Sequence, residues 1–512
     1  MNIKQAKQEI TNTLRAYLTR DELGNYLIPA IRQRPVLLMG PPGIGKTQIM
    51  EQIARETGVG LVSYTITHHT RQSAMGLPFI QQHTYGEETV SVTRYTMSEI
   101  LASVYELMEK TGLREGILFL DEINCVSETL APMMLQFLQC KTFGNQHLPE
   151  GWLIVAAGNP PEYNKSVREF DVVTLDRVKR IDVSEDFAVW KEYARRKGIH
   201  GAVLSYLDIK KENFYRVETT VDGVQFATAR GWEDLSELIY AYEALGLRAD
   251  REVVGQYIQL PRVARDFAGY LELYDKYQKT YHVEEILRGT WQAVTVSELR
   301  AAPFDEKLSV MGLVLSRLSE AAALTRRQDA LTTALHKDLT AFRDQLASAA
   351  PDQVLGGIIR ERQTELGRAR EAGQLDKQTR DLWQREIRAL EEYRRRLALE
   401  QAAPARAMDA VRGWFGEEVD RRKTLGRETG TMFDNAFRFL EQTFGQDQEL
   451  VLFVTEITAG PATSWFVENF GCDAYFRYNR ELLFDDARHR IREEIAAARA
   501  AEREKMEERP HE

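Results

Sequence analysis

Up to about residue 184, short apolar runs alternate with helical patterns. Val36–Met39, Val59–Ile66, Ile117–Leu120, Leu153–Ala157 and Arg180–Val183 are apolar or β-branched, and each is bounded by Gly, Pro, Asn or Asp. Runs this short with such borders predict strands. Between several of them the spacing turns helical. Met97–Lys110 is such a pattern, with Thr96 and Glu99 at capping-box spacing at its start, and Leu130, Met133, Met134, Phe137 and Leu138 form one stripe. Strands alternating with helices predict an α/β fold with a parallel sheet covered on both faces. Past about 185 the strand signal fades. Phe187–Lys197, Gly231–Leu245 and Val263–Gln278 read as amphipathic helices. Beyond 290 the chain reads as mostly helical, with a seam of Trp383, Ile387, Leu390 and Leu397 among many Arg and Glu. That seam suits a helical hairpin packed on itself or an arm that binds a partner. Glu449–Ile457 is the strong strand-like run late in the chain, and a turn at Gly460–Pro461 follows it. The last thirty or so residues are rich in Ala and charge, which predicts a helix fraying into a tail.

Composition narrows the picture modestly. The 512 residues suggest about three domains. Lys plus Arg number 67 against 77 Asp plus Glu, a net charge of −10, which argues against a general polyanion binder. Cys125, Cys140 and Cys472 match no zinc spacing and cannot build a disulfide framework, so a reducing, cytoplasmic setting is expected. The first residues are polar and helix-patterned, without the apolar stretch of a secretory leader. No uninterrupted apolar run reaches about 18 residues, so no membrane span is expected.

Three stretches carry chemistry. Gly40-Pro41-Pro42-Gly43-Ile44-Gly45-Lys46-Thr47 fits the phosphate-loop pattern between an apolar strand and a helical stretch beginning at Gln48. Its glycines let backbone N–H groups approach phosphate oxygens, and the helix start adds a favourable dipole end. Lys46 would reach the β- and γ-phosphates of a bound nucleotide, and the Thr47 hydroxyl would ligate Mg²⁺. Ile117–Leu120 then runs into Asp121 and Glu122, at the strand end where open α/β sheets bind ligands. Asp121 would hold the Mg²⁺ through its water shell, and Glu122 would polarise the attacking water or take its proton. Asn159, in Ala156-Ala157-Gly158-Asn159-Pro160-Pro161, is a polar amide at a strand tip that can orient this water or simply form a turn.

Together these residues resemble AAA+ ATPases, and more closely the MoxR branch. The matching pieces are GPPGIGKT (40–47), RQSAMGLP (71–78), LFLDEIN (118–124), AAGNPPEYN (156–164), LDR (175–177) and TARGWEDLS (228–236), within roughly residues 15–280. The resemblance implies an AAA+ core with strand order 5-1-4-3-2 over residues 1–184, a helical lid over 185–290, and a mostly helical C-terminal region, 291–512, for partner or substrate. It also implies a ring, usually a hexamer, with ATP at each interface. By position Asn159 looks like the first sensor, Arg230 like the second, and Arg177 like the finger that reaches a neighbour's γ-phosphate. Arg168 and Arg180 are rival fingers. Thr228-Ala229 stands before Arg230 where the family often has Pro. In this branch an insert near the second helix forms a hairpin, and Phe79 to Tyr95 with a Tyr85-Gly86 turn fits one. His68-His69 lacks a third ligand at known spacing, so polar loop histidines are the simpler reading.

The expected function is Mg²⁺-dependent ATP hydrolysis that remodels or activates a protein partner. A protein carrying a von Willebrand factor A domain is the partner the resemblance implies. A nucleic-acid motor is the competing reading. It leans on Arg394-Arg395-Arg396 and Arg421-Arg422-Lys423, which alternate with Glu391, Glu392, Glu417 and Glu418 as an ion-paired helix face would. A nucleotide-gated scaffold is a third, disfavoured by the water-handling Glu122 and Asn159.

Overall fold

The computed structural model describes residues 1–480 apart from 69–70, 87, 145, 164–166, 168–169, 221–222, 347–348 and 401–403. The expected C-terminal tail, Arg168 and His69 lie outside the described residues. The described residues gather into two compact units, one within Met1–Trp190, Tyr215–Gly231 and Asp338–Met408, the other within Lys191–Phe214, Trp232–Lys337 and residues 409–480. Divisions at 184 and 290 follow chain order, and this grouping crosses them.

The described elements run as follows. The α/β part holds α1 (Ile3–Leu18), β1 (Val36–Met39), α2 (Lys46–Thr57), β2 (Gly60–Thr65), α3 (Arg71–Met75), β3 (Pro78–Tyr85), β4 (Glu88–Tyr95), α4 (Glu99–Thr111) and β5 (Gly116–Asp121). It continues with α5 (Ala131–Cys140), β6 (Thr142–Phe143), β7 (Gln146–His147), β8 (Trp152–Gly158), α6 (Val172–Leu175) and β9 (Lys179–Asp182). Next come α7 (Phe187–Lys197), α8 (Gly201–Ile209), β10 (Arg216–Thr220), β11 (Gly223–Ala227), α9 (Ala229–Leu245), α10 (Arg251–Tyr257), α11 (Pro261–Thr280), α12 (Val283–Arg288) and α13 (Ala293–Ala301). The remainder is helical: α14 (Phe304–Gln345), α15 (Pro351–Glu371), α16 (Lys377–Glu400), α17 (Pro404–Phe444), α18 (Gln448–Ala459) and α19 (Pro461–Phe470).

In the first unit β1, β2, β5, β8 and β9 form one parallel sheet of order β2-β5-β8-β1-β9. Counted in chain order this is 5-1-4-3-2 read from the other edge, as expected. Alternate residues of the same strands face opposite ways. Leu118, Leu120, Ile154 and Ala156 pack with α4 and α5 residues such as Leu101, Val104, Met134 and Phe137. Ile117, Phe119, Leu153 and Val155 pack with α1 and α2 residues such as Ile10, Leu14, Ile49 and Ile53. Each large side chain buried this way contributes about 1.5–3 kcal/mol. At the N-terminus, Asn2 and Gln5 cap α1 reciprocally at 3.0 Å each way.

The predicted capping box at Thr96 does not form. Ser98 takes the N-cap position of α4 without a side-chain bond, while the Thr96 hydroxyl accepts from the Leu77 N–H at 2.8 Å. Thr96 therefore closes the base of the β3–β4 hairpin, whose pairing runs from Pro78–Tyr95 to Tyr85–Glu88 as expected. All eight residues of β3 are exposed.

The first unit also holds α15 and α16, which form a helical hairpin with Ile387, Leu390, Tyr393 and Leu397 buried along one stripe. Of the two readings of that seam, the packed hairpin is the one formed. At its polar centre the half-buried Arg362 meets the buried Asp338 at 2.6 Å and Glu386 at 3.7 Å. Arg394 pairs with Asp352 at 2.7 Å, and Arg395 and Arg396 both pair with Glu392.

The described residues of the second unit are helical. Trp232 and Phe267 meet edge to face at 5.2 Å, and the Trp232 indole donates to the Phe214 carbonyl at 3.0 Å. The strand expected at Glu449–Ile457 is the helix α18. Glu449, Leu450, Phe453, Val454 and Ile457 are its buried residues, a helical spacing hidden inside a run apolar enough to suit either element. Arg422 pairs with Asp329 at 2.5 Å, Arg421 with Glu418 at 3.7 Å and Lys423 with Asp420 at 3.3 Å. By length and composition α14 is long and apolar enough to cross a membrane, and 44% of its apolar window is buried within the protein. The α18–α19 pair would pass the same test only as one span bent by 89°.

Candidate active site

Strand β1 ends at Met39, and the chain turns through the phosphate loop into α2. Gly43 and Gly45 hold φ of 74° and 93°, a region in which a side chain would be strained. Gly45 is the N-cap of α2, and Lys46 and Thr47 are its first residues. Lys46 is buried, with 8% exposed. Its ammonium donates to the carbonyls of Gly40 at 2.6 Å and Pro41 at 2.9 Å, and to Asn159 Oδ1 at 2.7 Å. All three of its N–H bonds are thereby used. Burial pushes the Lys46 ammonium down to about 8, with Asp121 opposing, the Arg230 charge reinforcing and Glu122 opposing.

Asp121 ends β5, two strands from β1, with β8 between them. The Thr47 hydroxyl donates to Asp121 Oδ2 at 3.0 Å, and Asp121 Oδ1 accepts from the Glu122 N–H at 2.9 Å. Glu122 is one of three non-glycine residues at positive φ among the described residues, at 57°. Such a backbone costs on the order of 1–3 kcal/mol and is held by its surroundings. Here the Cys125 N–H closes onto the Glu122 carbonyl at 2.9 Å, and the Ile123 N–H onto the Ala157 carbonyl at 2.9 Å. The Glu122 carboxylate accepts from the Thr67 hydroxyl at 2.8 Å.

Asn159 follows β8 directly. The Asn124 amide donates to its carbonyl at 2.7 Å and accepts from its N–H at 3.3 Å. Thr228 and Arg230 stand at the start of α9, where the Thr228 hydroxyl accepts from the Gly231 N–H at 3.2 Å. This hydroxyl serves the helix start in the stretch that departs from the proline frequent in the resembled family. A Cβ on Gly43 would lie 3.4 Å from the Arg230 Cβ, so the stem of Arg230 borders the phosphate loop while its side chain is exposed. The Tyr215 hydroxyl donates to the Pro42 carbonyl at 2.9 Å.

The structure therefore brings together Gly40, Pro41, Pro42, Gly43, Ile44, Gly45, Lys46, Thr47, Asp121, Glu122, Asn159 and the stem of Arg230. Gln48 is exposed on α2, and its Oε1 would lie 3.4 Å from a Cβ on Gly45, so it too borders the loop. Arg177 is exposed and bonds to Gln139 of α5; among the described residues no hydrogen bond ties it to the cluster, nor any ion pair to Asp176. Arg180 pairs with Asp182 at 2.9 Å. Sequence reasoning did not single out Thr67, Asn124 or Tyr215. Asn124 was visible as the last residue of LFLDEIN, but its bond to Asn159 depends on strand neighbours. The Thr47 hydroxyl beside the Asp121 carboxylate is a hard oxygen pair of the kind Mg²⁺ takes, so these two residues fit that ion. Among the described residues no group of three or more His, Cys, Asp or Glu is placed to hold a metal.

Comparison with known proteins agrees with this geometry. Residues 36–175 match the model of the ATPase family associated with various cellular activities, AAA. The chain is 37% identical over 93 residues to the cattle protein "ATPase family gene 2 protein homolog B", and 36% identical over 93 residues to its mouse counterpart. Each match covers 18% of this chain and 10% of the relative, so the chain spans about a tenth of the length of these curated relatives. Residues 36–175 thus hold an AAA ATPase family domain, consistent with ATP hydrolysis.

Proposed function

We propose that this chain is an ATP hydrolase of the MoxR kind, which uses turnover to remodel or activate a protein partner. The observation that carries the hydrolase reading is the buried Lys46 ammonium beside the Thr47–Asp121 pair, at the mouth of a glycine loop. A polyanion is the natural counter-charge for such a lysine. On arrival its phosphate oxygens compete with the Gly40, Pro41 and Asn159 oxygens for the three N–H bonds of Lys46. The first N–H groups of α2 add donors and a positive dipole end. Thr47 and Asp121 would hold Mg²⁺, which supplies positive charge against the phosphate oxygens. Glu122, beside Asp121, is the base for the attacking water, and Asn159 is the amide that orients it. Arg230 adds positive charge from the α9 side, and release of the Thr67 bond frees the Glu122 carboxylate for the water.

The MoxR assignment is supported by the order of the RQSAMGLP, GNP and ARGWE pieces and by the exposed β3–β4 hairpin at the expected place. With it come the ring, a partner carrying a von Willebrand factor A domain, and Arg177 as the finger acting in trans. Its exposure leaves Arg177 available to a neighbouring copy. The three cysteines are free, which suits the reducing cytoplasmic setting that belongs to this reading. The motor reading draws no support from its own residues, because the basic runs at 394–396 and 421–423 are paired with carboxylates. ATP turnover by the purified chain tests the proposal, together with Glu122→Gln as a trap that still binds ATP. Partners retained on the trap should include no nucleic acid. Absence of Mg²⁺-dependent phosphate release, or release that DNA stimulates, would overturn it.

A further inference from the structure

We propose that Asn124 is a positioning residue for hydrolysis, clamping the backbone of Asn159 so that its side-chain amide stands fixed against Lys46. The inference rests on the ATP hydrolase reading and deepens it. Asn124 lies two residues beyond Glu122 and is 2% exposed. Its amide bonds both backbone groups of Asn159, donating at 2.7 Å and accepting at 3.3 Å. Turning the amide over would set oxygen against oxygen and nitrogen against N–H, so the two bonds fix its orientation. A side chain thus does what a neighbouring strand would do, past the point where β5 and β8 stop pairing at Leu120 and Ala156. The Ile123–Ala157 backbone bond lies next to it.

The fit is tight from the other side. A Cβ on Gly158 would lie 2.7 Å from Asn124 Oδ1 and 3.0 Å from the Met39 sulfur, so this strand end has room for the clamp only because residue 158 is glycine. The route is short: the chain end that carries Asp121 and Glu122 holds Asn159, and Asn159 Oδ1 accepts from Lys46 at 2.7 Å. The base, the metal-binding carboxylate and the water-orienting amide are thereby kept in one register. A misplacement of about 1 Å between such groups costs roughly a hundredfold in rate, so the clamp is a rate-setting device.

The experiment uses the full chain with ATP and Mg²⁺, measuring kcat and, separately, the dissociation constant of the nucleotide. Asn124→Ala removes both bonds. Asn124→Asp keeps the size and the acceptor while setting a carboxylate oxygen against the Asn159 carbonyl, and serves if the alanine variant folds poorly. Each is expected to lower kcat by about ten- to a hundredfold while nucleotide affinity changes less than about threefold. Because Asn124 acts through Asn159, Asn124→Ala with Asn159→Ala should be no slower than Asn159→Ala alone. A kcat within twofold of the parent, losses that multiply in the double variant, or affinity falling in step with kcat would each overturn the clamp. Parent turnover no faster than that of Lys46→Ala overturns the hydrolase reading and the clamp with it; a fast parent beside an unimpaired Asn124→Ala overturns the clamp alone.

Discussion

Lys46 combines a full charge with burial, and that conflict makes its behaviour testable. Its pKa lies near 8, below the ordinary 10.5, because the fold removes water from the ammonium. Nucleotide binding should be level below pH 8 and weaken as the pH rises through it, since phosphate prefers the protonated form. Above pH 8 binding should take up protons, which calorimetry in two buffers of different ionisation heat would detect. The sign for folding follows from the same shift. Between 8 and 10.5 the unfolded chain holds more protons, so the lysine's contribution to stability rises with pH across that window. Glu386 is the opposite case. Burial, then the Asp338 carboxylate, pushes it up to about 7 from 4.5 against the pull of Arg362. The folded chain then holds the extra proton, so stability falls as pH rises from 4.5 to about 7. Glu386→Gln should change little at pH 5 and stabilise at pH 8, by on the order of 1–3 kcal/mol in denaturant melts. The phosphate-loop residues and the Asp121-Glu122 pair were legible because loop and strand-end chemistry is local in sequence. The strained backbone of Glu122 and the bond from Thr67 were not, because both depend on neighbours from other strands.

At the scale of elements, periodicity was informative where it ran long enough. The α16 stripe of Ile387, Leu390 and Leu397 is buried where its spacing placed it. Leu390→Ala should cost about 2–5 kcal/mol in the same melts, because the residue has no exposed surface to relax into. The nine residues 449–457, six of them apolar, carried too little period to separate strand from helix. Tertiary partners decide there: Glu456 of α18 pairs with Lys191 at 2.9 Å and also binds Arg195, and Glu449 pairs with Lys307 at 3.2 Å. Carboxylates on the buried side make sense on a helix that meets basic partners. The Thr96 cap failed for a related reason, since a hydroxyl able to cap α4 was taken by the hairpin backbone instead.

At the scale of the whole molecule, the chain is built from elements far apart in sequence. Lys46, Asp121 and Asn159 meet because β1, β8 and β5 are adjacent in the sheet, although their order along the chain is different. Completion of the pocket by a second copy belongs to the ring reading. Arg177→Ala should end turnover while leaving each chain able to bind nucleotide. Mixing it with Lys46→Ala chains should restore part of the phosphate release, because one variant keeps the loop and the other keeps the finger. Full activity of Arg177→Ala alone would remove that residue from the chemistry.

The sequence by itself determined the parallel α/β core, the glycine loop after its first strand and the carboxylates at the end of β5, because strand alternation, glycine spacing and strand-end charge are short-range properties of the chain. Only the tertiary structure decided which helices share a unit with the sheet, that 448–459 is helical, and that Asn124 holds Asn159. Those outcomes turn on which buried polar group finds its partner, and the partner lies tens to hundreds of residues away.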